Sequence, residues 1–228
     1  PFLVFGPFFI SGAGTHTLQY ASEDLAGNIE AFKTRIITID PAPPVTQATV
    51  SGTLGTNGWH RSAVQISLNA TDNLNAVQGT FYRIDGGAVQ TYAGPFGFST
   101  PGVHTFEYWS IDHVHTEATH TLVVKIDTGA PVVTAAASPS TAPKGPKPVN
   151  VTISGSVTDA VSGISSASFN VIDEYGTTQP SGAVTVQANG SYSFVLSLPA
   201  NRPGNDRDGH LYTIVVTGFD QAGNSTTA

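Results

Sequence analysis

The sequence predicts an all-β fold of tandem two-sheet sandwiches joined by short proline-containing linkers, and three observations predict it. Charged residues make up only 11% of the chain, while Gly, Thr, Ser, Val and Pro are abundant, a usage that favours short strands and turns over helices. Apolar and polar residues alternate in one run after another, the period of a half-buried strand. The chain also repeats itself at a spacing of about 90 residues, the size of one immunoglobulin-like β-sandwich.

The repeat is read residue by residue. Gly6-Pro7-Phe8 returns as Gly94-Pro95-Phe96, His16-Thr17 as His104-Thr105, Tyr20 as Tyr108, Ser22 as Ser110 and Asp24 as Asp112. After a one-residue deletion, Glu30-Ala31 returns as Glu117-Ala118 and Ile39-Asp40 as Ile126-Asp127. The third copy shares the end of the motif, because Asp220-Gln221-Ala222-Gly223-Asn224 matches Asp24-Leu25-Ala26-Gly27-Asn28. Boundaries fall at Asp40-Pro41-Ala42-Pro43-Pro44 and at Asp127-Thr128-Gly129-Ala130-Pro131, where proline withdraws amide donors and stops a strand. Residues 1–42 are thus read as the second half of a repeat, 43–131 as a complete domain, and 132–228 as a divergent one that lacks its last strand.

In the complete repeat, Val64, Ile66 and Leu68 alternate with Gln65 and Ser67 as one strand. Phe81-Tyr82-Arg83-Ile84 runs into Asp85-Gly86-Gly87, a hairpin turn. Further runs are Phe96 and Phe98, then His104, Phe106 and Tyr108, and finally Leu122, Val124 and Ile126. In the third repeat the strands are read at Val149 to Ile153, Phe169 to Val171, Val184 to Val186, Tyr192 to Leu198 and Tyr212 to Val216. Ser138 to Pro148, with its four prolines, reads as a linker or irregular edge.

Gly58-Trp59, Val64 to Asp72, Tyr82-Arg83-Ile84-Asp85-Gly86-Gly87, Tyr92-Ala93-Gly94-Pro95-Phe96, Gly102 to Tyr108 and Lys125-Ile126-Asp127 together resemble a bacterial immunoglobulin-like repeat, the family named after a spirochaete outer-membrane protein. The family's usual ending, an aspartate followed by Ala-Gly-Asn, stands at Asp24 and Asp220 and is replaced in the middle repeat by Asp112-His113-Val114-His115. The resemblance implies an accessory module of a secreted or surface protein and carries no catalytic residues.

Composition excludes several functions. The nine Lys and Arg are scattered in a chain of net charge −7, so no basic stripe exists to attract nucleic-acid phosphates. Cysteine is absent, which removes disulfides and thiol chemistry; methionine is absent too, from which the native start is expected to lie outside this chain. The opening Pro1-Phe2-Leu3-Val4-Phe5 is broken by Gly6-Pro7, far short of the roughly 20 apolar residues of a membrane-spanning helix, and no membrane insertion is expected.

Candidate sites follow from residue chemistry. Asn205, Asp206 and Asp208 crowd one loop, and Asp159, Asp220 and Asn224 are placed to approach from neighbouring loops, an oxygen-rich set of the kind calcium favours. His113, His115 and His120 form a candidate transition-metal set, since imidazoles two apart on a strand share a face. The competing reading is that Asp and Asn are ordinary turn residues and that the histidines merely replace a turn sequence. The pairs Asp24 with Asn28 and Asp220 with Asn224 need no ion, because a short side chain can bond the turn's own amides while Gly27 or Gly223 is left-handed. His16, His104 and, at the matching place, Tyr212 read as plugs closing the end of a core rather than as bases. Trp109, out of phase with Phe106 and Tyr108, is expected on the outer face as a glycan platform, and Trp59 is expected to cover a sandwich edge.

The function expected is a non-catalytic extracellular spacer or adhesion stalk of a larger bacterial protein, not an enzyme, with other domains of the same polypeptide as its partners. The alternatives are a carbohydrate-binding arm of a secreted hydrolase, contacting glycan or a surface protein, and a filament subunit. The last rests on the half-repeat at 1–42, whose unpaired edges invite strand exchange between copies. No cofactor is expected beyond calcium.

Overall fold

A computed structural model describes residues 6–142, 144–202, 204 and 209–228, and among them every regular element is a β-strand. Two compact units contain them. The first holds the described residues up to Thr49 with Ser67–Pro95 and Thr105–Leu122; the second holds Val50–Ile66, Phe96–His104 and the described residues from Val123 onward.

The first unit opens with β1 (Gly14–Tyr20) and β2 (Lys33–Ile39), an antiparallel pair in register from Gly14 opposite Ile39 to Tyr20 opposite Lys33. These two strands make a sheet by themselves, and Phe9, Phe32 and Ile36 are exposed. The unit also takes in β6 (Gly79–Ile84), flanked by β7 (Gln90–Thr91) and by the Thr105–Ile111 part of β9 (Gly102–Ile111). Phe106 is buried here with its ring stacked 5.3 Å from that of Tyr82.

Four strands, β3 (Val45–Ser51), β5 (Val64–Thr71), β9 and β10 (His120–Ile126), begin in one unit and end in the other. In the second unit the start of β5 pairs with β8 (Phe96–Phe98), Val64 opposite Phe98 and Ile66 opposite Phe96. Val64, Ile66 and Leu68 are buried while Gln65 and Asn69 are exposed, as period-two alternation requires. A two-residue β4 (Trp59–His60) runs parallel to the end of β10, with Trp59 opposite Lys125.

The rest of the second unit is a complete sandwich. One sheet is β11-β12-β15, from Val132–Ser138, Val149–Thr158 and Ser191–Leu198; the other is β14-β13-β16-β17, from Ser181–Val184, Ile164–Asp173, Tyr212–Asp220 and Ser225–Thr227. The sheets divide the consecutive strands three to four, with β12 beside β15 and β13 beside β16, the crossing pattern of an immunoglobulin-like Greek key. Ile153, Val157, Tyr192, Leu196 and Leu198 from the first sheet pack against Ala167, Val171 and Val216 from the second.

One sequence expectation is corrected here, and one strand had not been read. The final strand of this repeat is not missing: three residues after the turn are enough for β17 to pair with β16, and Ala228 exchanges both backbone hydrogen bonds with Val216. Strand β11 was invisible to alternation because Val-Val-Thr-Ala-Ala-Ala-Ser lies at a sheet edge with nearly every residue exposed.

Replacing Ile153 with alanine should lower the unfolding free energy of this sandwich by about 2–5 kcal/mol, through lost burial and the cavity left behind. Ile172→Ala, on an exposed position, should stay within about 0.5 kcal/mol. Chemical denaturation followed by circular dichroism checks both.

Candidate functional site

Each repeat places an aspartate at a tight turn after a long strand or at its end, and the turn's chemistry is local. Asp24 accepts from the backbone N–H of Ala26 and Asn28 at 2.9 Å, and the Asn28 amide donates to its second oxygen at 2.8 Å. Asp220 is held in the same way by the backbone N–H and side-chain amide of Asn224, at 2.8 and 2.9 Å. Gly27 and Gly223 take φ of +84° and +89°, a region that a side chain disfavours.

In the second unit the Asp220 turn does more than reverse the chain. Thr56 donates its N–H to the carbonyl of Ala222 at 3.0 Å and its hydroxyl to that of Gln221 at 2.7 Å. The Asn57 amide reaches the Gln221 side chain at 2.9 Å, and Arg61 donates to Asn224 Oδ1 at 2.8 Å. The Asn224 amide also donates to the backbone carbonyl of Asp127 at 3.1 Å. A loop of the middle repeat and the linker residue Asp127 are therefore fastened to the turn of the third repeat. The fit is close: a Cβ on Gly55 would lie 2.1 Å from the carbonyl oxygen of Ala222.

Asp127, Asp159 and Asp220 bring carboxylate oxygens within 4.8 Å of one another at this joint, with Asp127 and Asp220 buried. Asp159 accepts from the N–H groups of Val161, Ser162 and Gly163, and Ser162 N–H also donates to Asp127. An all-oxygen group of this kind suits a hard cation such as calcium. Two of the acids expected from sequence, Asp159 and Asp220, are thus brought together; Asn205, Asp206 and Asp208 lie outside the described residues. The third member, Asp127, was overlooked, although the repeat had placed it opposite Asp40.

A second group sits at the preceding joint, in the first unit, where Asp40, Asp112 and His115 offer ligand atoms within 4.8 Å of one another. His115 joins these acids and not His113 or His120. His113 is exposed; His120 bonds Glu117 at 2.8 Å and stacks on Tyr108. Glu117 is buried, and although burial favours its neutral form, bonds from the Thr46 hydroxyl and N–H, His120 and Ser110 hold its pKa below the usual value.

The remaining candidates are structural. His16 and His104 each bond the carbonyl four residues earlier, Gly12 at 2.9 Å and Thr100 at 3.1 Å, and the Tyr212 hydroxyl donates to Pro199 O at 3.1 Å. Trp109 is half-buried beside Phe81, opposite it in the strand pair, with ring centroids 6.1 Å apart, so it does not stand free as an isolated outward indole. Trp59 is buried, with Lys125 Nζ 6.0 Å from its ring centre.

Sequence reading missed the pair His210 and Asp173, since Asp173 ends β13 while His210 precedes β16 and neither belongs to the repeat. Their side chains are buried with Nε2 2.6 Å from Asp173 Oδ1, while Nδ1 lies 2.9 Å from the Asn201 carbonyl. Both ring nitrogens thus lie within hydrogen-bond distance of acceptors, an arrangement that favours the doubly protonated ring. Burial opposes both charges, yet the hydrogen bond between them wins: His210 is raised above its ordinary value and Asp173 is held well below the usual carboxylate range. Thr177 and the N–H groups of Tyr175 and Thr178 contribute to the latter.

No protein-family model matches the chain, and no curated protein matches it. Among solved structures, it is similar to a tetra-tandem repeat in the extending region of a large adhesion protein, at 20% identity and a TM-score of 0.40. The match covers 94% of this chain and 55% of that one. A two-domain fibronectin type III segment of chicken tenascin shares 12% identity at a TM-score of 0.40, over 82% of this chain and 98% of the other. The D00-D0 domain of intimin shares 13% identity at a TM-score of 0.34, over 80% and 96%.

The His210–Asp173 pair sets a pH signature for the third repeat. A raised histidine stabilises fully below its unfolded pKa of about 6.5 and loses that contribution as pH rises through the folded value. A depressed aspartate stabilises above about 3.9 and loses its share as pH falls through the folded value. The pair should therefore contribute most between about pH 4 and 6.5. Melting temperature against pH should fall on the alkaline side in the native chain and flatten there in His210→Asn.

Proposed function

We propose that this chain is a non-catalytic spacer, a stalk of immunoglobulin-like repeats from a secreted or surface protein of bacterial type, divided near residues 42 and 131. The observation that carries this reading is the joint of the second unit. Thr56, Asn57 and Arg61 hold the Gln221 to Asn224 turn through backbone and side-chain hydrogen bonds, and Asn224 holds the linker carbonyl. A chain serving only to connect would leave such a link solvated; a fastened link keeps neighbouring repeats at a fixed angle. Among the described residues, the ring nitrogens of His210 are taken up by Asp173 and the Asn201 carbonyl.

The joint is readily tested because the chain has no native cysteine. Spin labels on cysteines at Val103 and Val195, both exposed, should give a narrow distance distribution that broadens in Gly55→Val. A broad distribution in the parent chain would remove the stiff-spacer reading.

We propose in addition that calcium reinforces this joint through Asp127, Asp159 and Asp220, whose clustered charges repel one another until a cation is shared. Calcium should raise the melting temperature relative to a chelator, and Asp159→Asn should abolish the difference. Equal melting temperatures in the native chain would refute it.

A further inference from the structure

The turns of the three repeats differ in one respect that leaves atoms without partners. In the first and third, an asparagine amide satisfies the second oxygen of the turn's aspartate. The turn of the middle repeat, Asp112-His113-Val114-His115, has no asparagine, and Asp112 spends only Oδ1 on the turn, accepting from the N–H groups of Val114 and His115. Its Oδ2 is buried without a hydrogen-bond donor, on a residue only 4% exposed. The Nδ1 of His115, also buried, has no hydrogen-bond partner either. Buried polar atoms seldom go unpaired, and a charged one is costly to leave so.

The two atoms face each other at 3.6 Å, within ion-pair range when the ring is protonated but too long for a hydrogen bond. That separation is close to the ~3.4 Å that two ligands keep around a tetrahedral cation with bonds of ~2.0–2.1 Å. A carboxylate oxygen of Asp40 completes the group within 4.8 Å. Asp40 is oriented by the Asn75 amide, and Asn75 is in turn fixed by a backbone bond to Asp72. Asp72 has a buried oxygen without a donor in the same loop.

We infer that Asp40, Asp112 and His115 bind a divalent transition cation of the zinc type, with a fourth position open to water. The imidazole selects this class over calcium, which takes oxygen ligands, and the two carboxylates supply the neutralising charge. The site is separate from the all-oxygen group at Asp127, Asp159 and Asp220, and a chain with no spacer role would bind the ion equally well.

Chelator-treated chain titrated calorimetrically with zinc chloride should take up one equivalent with a saturable isotherm. Asp112→Asn, which keeps the side chain's shape, and His115→Ala should each weaken binding by about tenfold or more, whereas His113→Ala and Asp159→Asn should leave it unchanged. Cobalt(II) in the native chain should give the intense visible bands of a four-coordinate ion, a readout that needs no variant to fold. Lack of saturable zinc uptake, uptake indifferent to both ligand variants, six-coordinate cobalt bands, or displacement of zinc by an equal concentration of calcium would each overturn the assignment.

Discussion

The carboxylate of Asp220 is the constraint on which the joint of the second unit depends. Buried at 1% exposure, it organises Asn224 through two hydrogen bonds. That leaves the asparagine's carbonyl oxygen for Arg61, while its amide also reaches the linker. A turn that in isolation would merely reverse two strands becomes a fitting for the repeat before it. The hydrogen bonds of Thr56 and Asn57 depend on the backbone direction that this aspartate imposes. The hydrophobic core supplies the sandwich; the aspartate shapes the turn to which Thr56, Asn57 and Arg61 are bonded.

The fold was legible because the physics of strands is written at short range. Alternation located β5, β9, β10, β15 and β16, since a residue's face on a strand is set by its parity. It failed at β11, an Ala-rich edge strand with little to bury, and at β17, where three residues offer no period to read. The turn chemistry of Asp24 and Asp220 was readable from composition and spacing, because an Asx side chain bonding its own turn involves no distant partner.

The sites were less legible, for a reason of geometry. Asp159 and Asp220 were read as neighbours, but their companion Asp127 stood in the repeat alignment as a boundary mark. Asp40 was marked in the same way. A linker residue looks like punctuation until the sandwiches on either side are built and its side chain is seen to turn inward. His115 was grouped with His113 on strand parity, with His120 approaching across a hairpin, yet the turn at Asp112 brings His115 to the acids. Asp173 ends β13 and His210 lies two residues before β16, with no shared motif, so it is the pairing of Asp173 with Tyr212 at the end of these strands that brings them together.

The parallel contact between β4 and the end of β10 has a mechanical consequence. Tension carried along the chain enters the middle repeat ahead of Trp59 and leaves it beyond Ile126. The two ends of a parallel pair are then drawn in opposite directions along their length. Such bonds are loaded in shear and must yield together, where an antiparallel hairpin pulled from its open end would unzip one bond at a time. Asp127 N–H, bonded to the His60 carbonyl at 2.9 Å just past the pair, adds a further bond that resists the same shear.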